Sequence, residues 1–267
     1  MEDYPVKVGN MLFTMVDPHP GYEKAYNRWY ERDHFYAGCL QGPWLFAGRR
    51  WVATRALKDL RFPDESPFAK PVDAGSYLSI YWRQRGKESE ASAWSQPNVR
   101  WLYQNGRGFD QRTHAHTSNY DFVDVSYHDA DGVPVELALD HAYAGLAAVI
   151  VEPTDGVERG ALCQWLADGP VRSLLAGPDV DLLASFGLSD RPPSTPGFEA
   201  PMALGTDGGR PDRLVQLAFL NTPPPACWAG FRRYGEAVDA GGVGRITFAA
   251  PFIPTDVGTD RYTDQLW

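Results

Sequence analysis

The order of strand-like and helix-like segments constrains the fold of this 267-residue chain more than any other feature. Hydrophobic periodicity, with Gly and Pro at the breaks, separates six segments in the first half. They are a strand at 8–16, a helix at 22–40, strands at 44–54 and 77–82, a helix at 88–105 and a strand at 113–127. Pro97 is predicted to break or kink the second helix. Strand-helix-strand-strand-helix-strand is the order of a ferredoxin-like α+β unit.

The second half of the chain follows the same plan. Its predicted segments are a strand at 142–152, a helix at 159–175, a Pro/Gly/Asp-rich loop at about 187–213, a strand at 214–220, a helix at 226–240 and a strand at 244–252. The first helix of each half carries a tryptophan, Trp29 or Trp165, and ends near a Gly-Pro pair. The sequence therefore predicts two diverged copies of one unit, residues 1–138 and 139–267.

Composition excludes several classes of function. A formal charge of -9 and the lack of a basic stretch argue against nucleic-acid binding. No apolar run approaches the roughly 20 residues of a transmembrane helix, and residues 1–5 lack the apolar core of a signal peptide. Three scattered cysteines without a CxxC motif favour a reducing compartment over a disulfide framework. A cytoplasmic protein without membrane or nucleic-acid partners is expected.

His34 is the most plausible chemical group of the chain, because it lies on an aromatic-rich helix. A histidine with an ordinary pKa of about 6.5 can take or give a proton near neutral pH. Asp33 is adjacent, but neighbouring helix residues point about 100° apart, so Asp33 need not orient the imidazole. Trp29, Tyr30 and Asp33 are candidate substrate-binding residues beside it. The alternative is a histidine at a helix end that bonds to a backbone carbonyl.

His114 and His116 form the second cluster. Strand alternation predicts both imidazoles on one face, with Tyr120 continuing it, in a pocket opposite His34. The pair is also a metal-ligand spacing that His34 and Asp33 could complete, but the sequence secures no third ligand, so no metal is predicted. A solvated pair is the other alternative.

Aromatic residues and arginines supply the predicted pocket wall. Trp82 belongs to a large set of aromatic residues in the first half, some of which could line a flat apolar pocket for an aromatic or polycyclic molecule. Arg49, with Arg50 and Arg83, could hold a carboxylate or enolate oxygen or simply be a surface charge. The motifs GxGxxG, GxxxxGK[ST] and GxSxG do not occur.

The helix segment 27–34, the Gly42-Pro43-Trp44 turn and the strand 45–51 together resemble the dimeric α+β-barrel superfamily, and within it EthD-like and related cyclase, isomerase and monooxygenase-like proteins. Trp29, Tyr30 and His34 fill a pattern that recurs there. The resemblance implies a barrel, made by a homodimer or, for two fused copies, within one chain. The second half has Asp168-Gly169-Pro170 in place of a histidine, so it would be structural. Residues 254–267 would pack over a neighbouring subunit or half.

The expected function follows from this resemblance together with the histidines. It is a cofactor-independent enzyme that isomerises, cyclises or dehydrates a hydrophobic, aromatic or polyketide-like small molecule by proton transfer. His34 would act as general base or acid, and His114, His116 and Tyr120 would stabilise an enolate or relay the proton. The alternatives are a cofactor-free monooxygenase, a haem-dependent member with His34 or His116 as axial ligand, and a non-catalytic binding protein.

Overall fold

Eight antiparallel strands close into a barrel in the computed structural model, which describes residues 5–189, 202–205 and 208–267. The strands are β1 (Val8–Pro18), β2 (Leu45–Val52), β3 (Tyr77–Gln84), β4 (Arg112–Tyr127), β5 (Gly145–Pro153), β6 (Val180–Leu188), β7 (Leu214–Leu220) and β8 (Gly244–Pro254). Their order around the barrel is β1-β3-β2-β8-β5-β7-β6-β4. Each half of the chain thus contributes four neighbouring strands.

The helices pack on the outer surface of the sheet. They are α1 (Glu23–Trp29), which continues as the π-helical segment Tyr30–Leu40; α2 (Arg55–Lys58); α3 (Glu88–Gln104); α4 (Arg159–Leu166), which continues through the π-helical segment Ala167–Val171 into α5 (Arg172–Leu174); and α6 (Pro224–Ala240). A single 3₁₀ turn, Val135–Leu137, precedes β5 among the described elements. The predicted α+β class is confirmed, and the strand-helix-strand-strand-helix-strand order predicted for the first half occurs in both halves.

Two details of the secondary structure differ from the prediction. Helix α3 runs unbroken through Pro97, because a proline removes only one backbone bond and the following residue is anchored: Asn98 Nδ2 donates to the Ala37 carbonyl at 2.5 Å. Strand β6 had not been assigned from the sequence. The predicted loop at about 187–213 lies partly outside the described residues. None of the described helices is long and apolar enough to cross a membrane.

Alternation along the strands divides the core into an inner and an outer layer. Phe13, Ile80, Phe186 and Phe248 are among the residues that fill the barrel interior. On the outer face of the second half, strand residues pack against Leu162, Trp228 and Phe231 of α4 and α6 in a continuous apolar cluster. Strands covered on both faces in this way read as unbroken hydrophobic runs, as β5 and β7 do.

The outer layer of the first half is packed differently. Its apolar clusters are small, one around Tyr26 and Tyr30 and another around Cys39 and Tyr81. Polar residues such as Thr14 occupy part of the sheet surface beneath the helices. A cavity therefore remains between helices and sheet in this half. In the second half apolar residues fill the space next to the sheet, and a pocket of about 630 Å³ lies further out, between α4–α5 and α6.

The two joins between the halves are unequal. β2 pairs with β8 through only two residue pairs, whereas β4 pairs with β6 along seven. The C-terminal segment crosses near the weaker join and packs on the first half: Leu266 is fully buried beside Tyr26, and Arg28 Nε donates to Asp260 Oδ1 at 2.9 Å. The prediction that this segment packs over another half is confirmed.

Candidate active site

The cavity of about 170 Å³ lies between the outer face of β1, β3 and β4 and the helical layer formed by the π-helical segment Tyr30–Leu40 and α3. Leu12, Leu45 and Val99 contribute apolar surface. Its principal polar side chains are Thr14, His34, Arg83, Arg112, His114 and Thr117. No carboxylate from the described ranges lines it.

His34 is held by its neighbours without a hydrogen bond. Its ring stacks on Trp29 at a centroid distance of 4.6 Å and lies against Gly38, where a Cβ atom would come within 2.7 Å of the imidazole. Nδ1 is shielded from solvent and has no hydrogen-bond partner in the described chain. Burial lowers the pKa of His34 to about 3, helped by the charge of Arg112 and opposed by Asp33. The imidazole is therefore neutral at neutral pH.

The other candidates on this helix have different surroundings. Tyr30 lines the cavity, and its hydroxyl lies 2.9 Å from that of Tyr81. Trp29 stands behind His34 and donates from Nε1 to the Arg107 carbonyl at 2.9 Å. Asp33 accepts from Arg107 Nε at 3.1 Å, and hydrogen bonds from Arg107 lower the pKa of the Asp33 carboxyl. Only Tyr30 of these three lines the cavity with His34.

The prediction that His114 and His116 share a face of β4 is wrong. Met15 of β1 pairs with His116, but Val16, the next residue, pairs with His114, so the strand contains one extra residue at Ala115. Such a β-bulge shifts the alternation by one position. His114 consequently faces the cavity outside the sheet, whereas His116 faces the barrel interior.

His114 is part of a hydrogen-bonded chain along the cavity wall. Arg112 Nε donates to His114 Nε2 at 3.3 Å. Since an arginine can only donate, Nδ1 carries the proton of the neutral ring and donates to Thr117 Oγ1 at 2.7 Å. Thr117 Oγ1 lies 2.7 Å from Thr14 Oγ1. Burial lowers the pKa of His114 to about 3, with Arg112 and His34 adding to the effect.

His116 and Tyr120 form a separate polar network inside the barrel. His116 Nδ1 donates to the Gly205 carbonyl at 3.0 Å, and Nε2 accepts from the Tyr120 hydroxyl at 2.7 Å. Arg213 Nε donates to the Tyr120 oxygen at 3.1 Å. Burial, with Arg213 nearby, lowers the pKa of His116 to about 4. The sheet separates this network from His34, so the predicted joint catalytic role is not supported by the geometry.

Arg49 and Trp82 also lie away from the cavity, contrary to their predicted role in binding substrate. Both are on the interior face, where Arg49 donates to the Leu139 carbonyl at 3.1 Å. Trp82 stacks on Phe186 at a centroid distance of 5.3 Å. Counting alternate positions along β2 and β3 cannot show which face of a barrel strand is inside when both faces are covered.

Several cavity residues had not been identified from the sequence, among them the polar residues Thr14, Arg112 and Thr117. Only their positions in the strands could have indicated that they line the cavity. Arg112 begins the strand that carries His114, and Thr14 lies two residues after Leu12 in β1, on the same face. Threonine is common in strands for its shape alone, so its presence in β1 or β4 did not indicate a site.

The cavity beside His34 offers no place for a haem, and the described residues hold no cluster of metal ligands. No group of three or more His, Cys, Asp or Glu side chains in the described ranges is arranged to hold a metal ion. A haem is at least a drug-sized ligand, and pockets for such ligands measure about 300–1,000 Å³, well above the 170 Å³ here. Both ring nitrogens of His116 are already bonded. The cavity and His116 therefore do not fit a haem.

Comparison with known proteins identifies the fold. No protein-family model and no curated protein matches the chain. Among solved structures, a protein assigned as a chlorite dismutase has a TM-score of 0.56 at 10% identity, over 98% of this chain and 100% of that one. An anthrone oxidase-like protein has a TM-score of 0.49 at 9% identity, over 95% of each chain. A dye-decolorizing peroxidase from Bacteroides thetaiotaomicron has a TM-score of 0.47 at 11% identity, over 98% and 96%.

The fold is that of a ferredoxin-like α+β barrel, as in the protein assigned as a chlorite dismutase. At these identities the likeness concerns the fold alone, and one fold hosts many reactions. The function of this chain has to be argued from its cavity.

Proposed function

We propose that the chain is a cofactor-independent enzyme that moves a proton to and from a small hydrophobic molecule in the cavity, with His34 as the proton carrier. The observation that carries the proposal is His34 itself: a buried, neutral imidazole whose Nδ1 has no partner, at the wall of a partly apolar cavity. Buried polar atoms are nearly always satisfied, and an exception calls for an explanation. A substrate that turns the ring towards the cavity would supply the missing partner, since Nδ1 is shielded in the fold as it stands.

The chemistry begins with removal of a proton from a carbon next to a carbonyl group. The proton goes to the imidazole, and the electron pair of the C–H bond passes to the carbonyl oxygen as an enolate. Return of the proton to another carbon completes an isomerisation; loss of a hydroxyl group as water or attack on a second carbonyl gives the dehydration and cyclisation that the sequence also suggests. The imidazolium is unfavourable until the enolate forms beside it, so its attraction to that charge is strongest late in the step.

The size of the cavity supports a smaller substrate than the sequence suggests. A volume of 170 Å³ lies below the usual range for drug-sized ligands, which favours a molecule of about one ring over a polycyclic one. Leu12, Leu45 and Val99 would contact its apolar part.

We further propose that the halves 1–138 and 139–267 are diverged copies of which only the first is active. The element order recurs, and both halves place a π-helical segment after their first α-helix. The second half lacks the histidine, and its helix-sheet layer is filled by residues such as Trp228 and Phe231. Loss of the histidine is what a structural copy requires.

Hydrogen–deuterium exchange tests the proposal directly. Phenylacetone, a one-ring enolisable ketone, would be incubated with the protein in D₂O and its benzylic signal followed by NMR. His34→Ala should lower the protein-catalysed exchange rate by about 10²–10⁴, the usual contribution of a general acid–base group. The matched control is His141→Ala, because His141 is exposed and should leave the rate unchanged.

Two outcomes would contradict proton transfer by His34. One is an exchange rate that is the same in His34→Ala and the wild type. The other is no exchange above buffer in the wild type while oxygen is consumed, which would favour the cofactor-free monooxygenase.

A further inference from the structure

Arg112 is a buried guanidinium that has no anionic partner in the described chain. Its side chain is 8% exposed and donates to the Phe109 carbonyl, the Tyr103 hydroxyl and His114 Nε2, all of them neutral acceptors. The Trp29 ring lies 4.8 Å from the guanidinium carbon. A buried charge is costly unless it is paired, and Arg112 lines the cavity.

The same wall has more hydrogen-bond donors than acceptors. Arginine has five N–H groups, and Arg112 uses three of them in the bonds just described. His114 donates to Thr117, and the Thr14 and Thr117 hydroxyls share one bond. Whichever threonine donates in that bond, one hydroxyl hydrogen is left over. Both hydroxyls belong to the cavity wall.

We infer that the cavity takes a carboxylate, which Arg112 binds and which accepts a further hydrogen bond from Thr14 or Thr117. This inference rests on the proposed function and narrows its substrate to a one-ring oxo acid, whose carboxylate anchors the molecule while an acidic C–H faces His34. A carboxylate provides two oxygens and a negative charge, which matches the geometry of a guanidinium. His114 is a positioning residue, since it orients Arg112 on one side and Thr117 on the other.

A pair of probes separates charge from shape. Phenylacetate and phenylacetamide differ mainly in the charge of one end, and neither needs to react for its binding to be measured by titration calorimetry. The wild type should bind phenylacetate about 10–100-fold more tightly, because hydrogen bonds to charged groups contribute about 1.5–3 kcal/mol. Arg112→Gln should remove that preference by weakening phenylacetate alone. Arg107→Gln is the matched control, because Arg107 is exposed and pairs with Asp33 outside the cavity.

Substitutions of the two threonines provide a second test of the carboxylate site, which applies even if Arg112→Gln fails to fold. Replacing both Thr14 and Thr117 by Ser keeps the hydroxyls and should retain the preference for phenylacetate, whereas replacing both by Val removes them at nearly the same size and should reduce the preference about 3–10-fold, the effect of one hydrogen bond. His114→Phe keeps a ring without nitrogens and should reduce the same ratio, which a purely structural role would leave unchanged.

Equal binding of the two probes to the wild type would overturn the inference, and so would an unchanged ratio in Arg112→Gln. Neither result contradicts the proposed proton transfer if His34→Ala still abolishes exchange of phenylacetone, because phenylacetone carries no charge. Conversely, an Arg112-dependent preference for phenylacetate in a protein that exchanges no proton would keep the carboxylate site and reject the proton transfer.

Discussion

His34 remains neutral in the fold because its charged form has nothing to solvate it. Neither the stacked Trp29 ring nor the nearby Arg112 guanidinium can accept a hydrogen bond from an imidazolium. Such a histidine is ready to accept a proton at every physiological pH, but it holds the proton only while a negative charge lies beside it. An enolate supplies that charge during the reaction and removes it at the end.

The depressed pKa of His34 predicts an acid-sensitive stability. The pKa of His34 is about 3 in the fold and about 6.5 in the unfolded chain, so the unfolded chain binds more protons between these values. The corresponding stability is complete above about pH 6.5 and is lost progressively as the pH falls towards 3. Between pH 7.5 and 5 the wild type should lose about 2 kcal/mol more unfolding free energy than His34→Gln.

Urea unfolding of both proteins at the two pH values measures this difference. His141→Gln serves as control, because His141 is exposed and its replacement should leave the pH dependence of the wild type. A pH dependence that is equally steep in His34→Gln would show that His34 is not the neutral, buried group described here.

At the scale of single residues the sequence identified only part of the cavity. His34 and Tyr30 belong to a motif and could be found by it. Arg112 could not, because its role depends on the absence of a counter-ion, which only the folded neighbourhood reveals. The predicted substrate-binding role of Arg49 and Trp82 was wrong for a related reason. In a strand whose two faces are both covered, an arginine or a tryptophan is equally plausible on either face.

The π-helical segment Tyr30–Leu40 is the element that sets His34 in place. Wider helical turns of this kind often occur at functional sites, and here Gly38 leaves the space that the imidazole occupies. Gly38→Ala would place a methyl group within 2.7 Å of the ring, so the ring must move. Catalysed exchange should fall about 10²-fold, as for misplacement of a catalytic group by about 1 Å.

The stability of Gly38→Ala should change little, since alanine is the better helix former by about 0.5–1 kcal/mol and the clash is with a movable side chain. Thermal unfolding would check this. Gly160→Ala in α4 is the comparison, because a Cβ atom at Gly160 meets nothing within 4 Å; its exchange rate should equal that of the wild type. An unchanged rate in Gly38→Ala would mean that the ring position is not critical.

Elements were predictable where their periodicity is uninterrupted. The apolar runs of β1 and β5 and the aromatic repeat of the first helix led to assignments close to those observed. The bulge at Ala115 was not predictable, because the alternation of side chains in the sequence does not show where a strand contains one additional residue. That single residue reversed the predicted orientation of His114 relative to His116, although the strand itself had been predicted correctly.

At the scale of the whole molecule, the join between β2 and β8 is the weakest part of the barrel. The C-terminal segment reinforces it: Arg55 N donates to the Gln265 carbonyl at 2.7 Å, and Leu266 fills a space beside Val52. Leu266→Ala should therefore lower the unfolding free energy by about 2 kcal/mol or more, the cost of a buried leucine-to-alanine change.

Urea unfolding provides the measurement for this change. Leu137→Ala is the control of identical chemistry, since Leu137 is 47% exposed and its loss should cost no more than about 0.5 kcal/mol. If both variants had the same stability, the C-terminal segment would not hold the two halves together.

The barrel was predictable as a whole because the segment order in both halves admits few topologies. The location of the cavity with His34 agrees with the half in which the sequence places the candidate histidine. The packing of Phe231 and Trp228 against the sheet of the second half was not predictable, since helix aromatics at regular spacing have the same pattern whether they fill a core or line a pocket.

The bulge at Ala115 has a consequence for redesign. Along five residues of one strand, His114 and Thr117 face the outer cavity while His116 and Ser118 face the filled barrel interior, and the sheet separates the two. An engineer could therefore replace large interior side chains around His116 with smaller ones, to open a second binding space without touching the outer cavity. Deleting Ala115 would make the two histidines neighbours on a regular strand, so His114 would still face the outer cavity and His116 the barrel interior.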